Sequence, residues 1–226
     1  SRCAALLLPH DALAILPFYR DEADFDFDDD VGLDLAKDDA VAMAAAAKME
    51  SLPYSPSFVL TMREVDPKIR NLKDFCFLPG FQKPTVAVLF AHSPTWTGLL
   101  SERKDTFAVY LFTLDLSASL DGAALGSTAD AFDDGAGRSA HPVVTTSSQL
   151  PFDCLYMLPC PQTLGGVLVV CMSSILHVDQ SGRVVITALN PWFKTLSAIE
   201  PESVLELPGV ADLQSSQLVF TSETEG

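Results

Sequence analysis

The chain has 226 residues, 48% of them apolar and 19% charged, with 14 Lys and Arg against 30 Asp and Glu for a net charge of −16. An apolar content of this size excludes disorder along the whole length and suits one domain or two small ones. The longest unbroken apolar stretches, such as Phe107 to Phe112, run about six residues where a membrane helix needs about 20, and the acidic balance argues against binding nucleic acid through phosphates.

Cys3 to Leu8 and Ala12 to Phe18 are apolar runs on either side of Pro9-His10-Asp11, which predicts a hairpin. Asp21 to Asp39 holds ten acids and one Lys, so it is expected to be a solvated loop that proteases cut first. Ala40 to Met49 is a candidate short helix, ended by Pro53 and Pro56. Phe58 to Met62, Thr85 to Phe90 and Thr106 to Leu116 read as strands, the last two as a hairpin. Ser117 to Ala140 is rich in Ala, Gly, Ser and Asp and reads as a second insert. Pro142 to Thr146, Cys154 to Leu158, Gly166 to Cys171 and Ser174 to Val178 follow as strands. The turn Asp179-Gln180-Ser181-Gly182 leads into Arg183 to Leu189, and Leu205 to Leu207 and Gln217 to Thr221 close the series. About twelve short strands at turn spacings of 8 to 14 residues predict an all-β sandwich, barrel or propeller. Without the inserts about 170 residues remain, enough for three to four blades at roughly 40–50 residues each.

Chemical motifs are weak. Asp24, Asp26 and Asp28 alternate as in a calcium loop, but Asp29 stands where that loop needs Gly and Leu35 where it needs Glu. Gly135-Ala136-Gly137-Arg138-Ser139-Ala140 imitates a dinucleotide fingerprint without the preceding apolar strand. His141, Ser147 or Ser148, and Asp153 could be drawn as a hydrolytic triad, though no nucleophile elbow is present. His10, His92, His141 and His177 lack metal spacing, and His177 reads as a half-buried sheet residue. The five cysteines, with no Cys-x-x-Cys pair, read as buried free thiols. No catalytic, cofactor or metal residue is therefore assigned. Trp96, in a loop, either tucks over the sheet end or anchors a partner, and it is the one candidate contact residue. The densest basic stretch, Arg63, Lys68, Arg70 and Lys73, is diluted by Glu64, Asp66 and Asp74.

Several blocks in register carry a resemblance. They are Arg2 to Ala5, Leu13 to Arg20, Pro84 to Phe90, Thr95-Trp96-Thr97-Gly98, Leu150 to Cys154, Pro159-Cys160-Pro161, Gly165 to Val170, Ser174 to Ser181 and Ala188-Leu189-Asn190. In this order they resemble the large subunit of the cleavage and polyadenylation specificity factor, whose three-propeller plan is shared with the large DNA-damage-binding subunit and a propeller subunit of splicing factor 3b. The acidic-alanine insert and Thr97, where the family more often has Pro, are departures.

The resemblance implies a partial β-propeller, residues 1–226 being a fragment of one propeller domain with inserts at 21–50 and 117–140. The start at Ser1-Arg2-Cys3 fits the edge of a fragment. It also implies a non-catalytic nuclear scaffold in pre-mRNA 3′-end processing. The expected partners are a WD-repeat subunit and a zinc-finger subunit, with pre-mRNA met through the complex and with no membrane role. Adaptors of a ubiquitin ligase or of a splicing complex are the alternative.

Overall fold

A computed structural model describes residues 2–18, 57–116, 141–199, 204–207 and 209–221. The expectations for the inserts at 21–50 and 117–140, the Ala40 to Met49 helix, the Asp24 to Asp28 pattern and the Gly135 to Ala140 pattern lie outside these residues.

The described residues form twelve strands and only single helical turns. β1 (Arg2–Leu8) and β2 (Ala12–Phe18) pair antiparallel, Leu8 opposite Ala12, across the expected turn. His10 and Asp11 take φ of 65° and 59° there, a left-handed conformation that Asp and His accept more readily than other non-glycine residues. β3 (Phe58–Thr61) adds to β2 and completes the first sheet. The second sheet runs β4 (Leu72–Leu78), β5 (Thr85–Ala91), β6 (Phe107–Thr113) and β7 (Val143–Leu150) in spatial order. The third is β8 (Cys154–Pro159), β9 (Val167–Cys171), β10 (Ser174–Val178), β11 (Val184–Ala188) and β12 (Val204–Glu206), the last parallel to β11. All other pairings are antiparallel between chain neighbours, so the fold is all-β and builds successive blade-like meanders into an unclosed partial propeller.

Packing explains the sequence patterns. Leu13, Ile15 and Leu60 of the first sheet meet Val86, Val88, Phe90 and Phe112 of the second. The opposite side of β5 and β6, with Ala87, Leu89, Val109 and Leu111, packs on Val167, Val169, Leu176 and Ile186. The middle sheet is thus covered on both faces, which is why β5 and β6 are unbroken apolar runs rather than alternating ones. Among the described residues nothing covers the outward face of the first sheet, where Leu6, Leu16, Phe18 and Val59 are exposed.

Three carboxylates stitch sheet to sheet. Asp11 accepts from the amides of Asn71 (3.1 Å) and Leu72 (2.6 Å). Asp74 on β4 accepts from Met157 N on β8 at 2.7 Å. Asp105, before β6, accepts from Ser197 Oγ (2.7 Å) and Ala198 N (2.9 Å) beyond β11.

Two sequence readings change. β4 was not foreseen, because Lys73 and Asp74 interrupt its apolar pattern at a bulge between Leu72 and Asp74. Gln217 to Thr221 is not a strand. That segment joins no sheet, and is held by Leu218 N donating to the Tyr156 hydroxyl, which itself donates to Ser216 O. The Asp179 turn forms as expected: Asp179 accepts from Ser181 N, Ser181 Oγ and Arg183 N, and Gly182 sits at φ 87°.

Candidate interaction site

The triad residues are not brought together. His141 Nδ1 accepts from Asp115 N at 3.2 Å, and burial lowers the affinity of this imidazole for a proton, against the opposing pull of Asp115 and Glu64. Ser147 Oγ donates to Gly182 O at 3.0 Å. Asp153 accepts from Ser173 N (3.1 Å) and Ser173 Oγ (2.8 Å), with burial raising its pKa. Each of the three is therefore engaged in a separate hydrogen bond to the backbone. His177 is half-buried as expected, its Nε2 donating to Gly165 O at 2.9 Å.

All five cysteines are free thiols; Cys154, Cys160 and Cys171 are buried, whereas Cys3 and Cys76 are partly so. Cys154 and Cys171 stand opposite each other on β8 and β9 with their sulfurs 3.4 Å apart. Burial pushes the Cys76 thiol up to about 12. Among the described residues no group of three or more His, Cys, Asp or Glu is placed to hold a metal ion, and no helix is long and apolar enough to cross a membrane.

What the fold does assemble is one end of the sheets. The β7–β8 connection is tied to the β5–β6 loop by Phe152 N donating to Lys104 O, and to the β9–β10 connection by Met172 N donating to Asp153 O. The β5–β6 loop is tied to the segment after β11 through Asp105. Both tryptophans project from this end. Trp96 is 61% exposed, so the reading in which it tucks over the sheet does not hold. Its carbonyl starts the short 3-10 turn Thr97–Leu99, and its indole lies against Gly98, where an added Cβ would come within 3.3 Å of Nε1. Trp192 is 59% exposed and was not singled out from sequence. Asn190 Oδ1 accepts Trp192 N at 3.0 Å, a local turn that presents the ring, and the Asn190-Pro191 pair was the available signal.

The same end carries a cleft of about 670 Å³. Its floor is Phe90, Ala108 and Tyr110, which are buried. Its rim is Lys68, Arg70 and His92 on one side and Ser148 and Gln149 on the other, all exposed. Phe90 and Tyr110 meet edge to face at 4.9 Å. Burial, then the nearby Asp66, raises the Tyr110 pKa, which keeps its hydroxyl a donor. Gln149 is the extra residue of a bulge, lying between the pairs Ala108–Ser148 and Phe107–Leu150, with φ 63°. A bulge lets two consecutive side chains, Ser148 and Gln149, serve one cleft where a regular strand would send them to opposite faces.

No family model matches the chain. It is 30% identical over 205 residues to a protein named CFT1 from Coccidioides immitis, covering 88% of this chain and 13% of that protein. It is 28% identical over 181 residues to cleavage and polyadenylation specificity factor subunit 1 of Drosophila melanogaster, covering 80% of this chain and 11% of the relative. A protein named cft1 from Schizosaccharomyces pombe is 30% identical over 236 residues, covering 100% of this chain and 14% of the relative. The chain thus spans a small part, 11% to 14%, of these relatives' lengths.

Proposed function

The chain belongs, along the segment it spans, to the family of the cleavage and polyadenylation specificity factor large subunit, and from that premise we propose that it is part of a non-catalytic nuclear scaffold of pre-mRNA 3′-end cleavage and polyadenylation. The observation that carries this reading is a match over most or all of the chain to relatives of that name from an insect and from fungi.

In this reading the described sheets are consecutive blades of one propeller domain. The apolar outer face of the first sheet, with Leu6, Leu16, Phe18 and Val59, is covered by further blades of the same ring. Trp96 is a partner contact: a large, exposed indole on a loop that hydrogen bonds hold in place has little entropy to lose on binding. The partners are a WD-repeat subunit and a zinc-finger subunit that read the polyadenylation signal, and pre-mRNA is met through them.

The test is affinity purification of the tagged protein from nuclear extract. Polyadenylation-factor subunits are expected in the eluate. Recovery of a cullin or of splicing subunits in their place would overturn the reading and favour a propeller adaptor of those complexes.

A further inference from the structure

The basic stretch that looks diluted in sequence is partly sorted by the fold. Asp74 points to the third sheet, where it takes Met157 N. Asp66 stays close to the cleft: its Oδ1 takes Lys68 N at 2.7 Å and its charge is felt at Tyr110. Glu64 acts on His141, the imidazole whose proton affinity it raises. Among the described residues the cleft lining holds no carboxylate, and Lys68 and Arg70 make no salt bridge. In a chain of net charge −16 this is a local cationic rim over an apolar floor.

We propose that this cleft binds a short acidic peptide segment of a partner protein, its carboxylates meeting Lys68 and Arg70 and its backbone meeting Ser148 and Gln149.

Three observations favour a peptide over a nucleic-acid strand. The floor aromatics are 0% and 7% exposed and already locked against each other, so neither offers a face on which a base could stack. The remaining surface repels a polyanion with one charge per residue far more than a peptide with a few carboxylates. Ser148 and Gln149 bring side-chain donors and acceptors of the kind that pair with a peptide backbone. A non-glycine residue held at φ 63° is strained, and such strain is concentrated where a side chain must be aimed. The acidic surroundings add specificity, because an acidic segment is turned away elsewhere and accepted here. The inference deepens the scaffold reading and rests on it only for the owner of the peptide.

The test presents the immobilised protein and its Lys68→Glu/Arg70→Glu variant with a phage-displayed library of random dodecapeptides. The wild type is expected to enrich sequences rich in Asp and Glu. A selected peptide, fluorescein-labelled, should lose at least ~10-fold in affinity for the variant, as for removal of a charge-assisted contact. The same peptide with Lys in place of its acids should regain binding to the variant. Both substituted residues are exposed, and unchanged hydrogen exchange of β4 to β7 checks that the fold is kept. Equal enrichment on both proteins, or none on the wild type, would overturn the proposal. So would oligouridine binding more tightly than the selected peptides and being lost in the variant. Purification of polyadenylation subunits with the wild type reads the scaffold question separately.

Discussion

Replacing Asp153 separates what its oxygen does from what its charge costs. The carboxylate is 4% exposed and accepts both donors of Ser173, itself 1% exposed, at 3.1 and 2.8 Å, while its other oxygen has no hydrogen-bond partner among the described residues. Asp153→Ala strands two buried donors, each worth ~1–3 kcal/mol; because the hydroxyl can swing to another acceptor, the loss should be ~3 kcal/mol. Hydrogen exchange of the β9–β10 turn amides, read peptide by peptide, should then accelerate by about 100-fold. Asp153→Asn keeps an acceptor for Ser173 and removes the charge, so exchange should stay within about fivefold of wild type.

The sign of the pH effect follows from the direction of the shift. Burial lifts the folded-state pKa above the ordinary 3.8, partly offset by the Ser173 hydrogen bonds and reinforced by Asp105. The folded protein therefore holds this proton more tightly than the unfolded one. The contribution to stability is greatest below 3.8, declines as pH rises through the window up to the raised value, and is level above it. Asp153→Asn should gain on wild type as pH rises through that window. If Asp153→Asn accelerates exchange as much as Asp153→Ala, the ionised charge itself supports the turn and the reasoning fails.

The remaining predictions concern other parts of the fold. At Gly166, φ is 74° and an added Cβ would sit 2.1 Å from Val178 O, whereas at Gly182 the nearest atom is a Thr145 methyl at 2.8 Å. Gly166→Ala should therefore cost ~3 kcal/mol or more and exceed Gly182→Ala in urea denaturation, since a backbone oxygen cannot step aside. Trp96→Ala should leave stability within about 0.5 kcal/mol, the ring being 61% exposed, yet reduce recovery of partner subunits at least ~10-fold in quantitative purification. With Cys76 at about 12, its thiolate fraction at pH 8 is on the order of one in 10⁴. Maleimide should thus spare Cys76 in the native protein and label it once urea is added.

Where a residue's neighbours in the chain are also its neighbours in space, the sequence was readable. β5, β6, β9 and β10 are apolar because sheets cover them, and the Asp179 turn is built from its own residues. β4 was hidden because Asp74, a poor strand residue taken alone, answers to an amide 83 positions away. The cleft was hidden for a related reason: counting charges along residues 63–74 cannot tell that Asp74 is turned to the third sheet while Lys68 and Arg70 stand beside His92. Gln217 to Thr221 misled in the opposite direction, since an apolar, β-branched run becomes a strand only where it finds a sheet edge to join.

The sheet-to-sheet stitches also bear on how such a chain can change over time. Asp11, Asp74 and Asp105 each take a main-chain amide, of Leu72, Met157 and Ala198 respectively. A main-chain amide is present whichever side chain the receiving position carries, proline excepted. The acceptor side of each seam must keep its carboxylate, while the seam asks of the donor side only an N–H. At the exposed Ala198 substitutions can accordingly accumulate without loss of alignment as long as the chain still delivers an N–H, whereas Leu72 and Met157 are held by core packing as well.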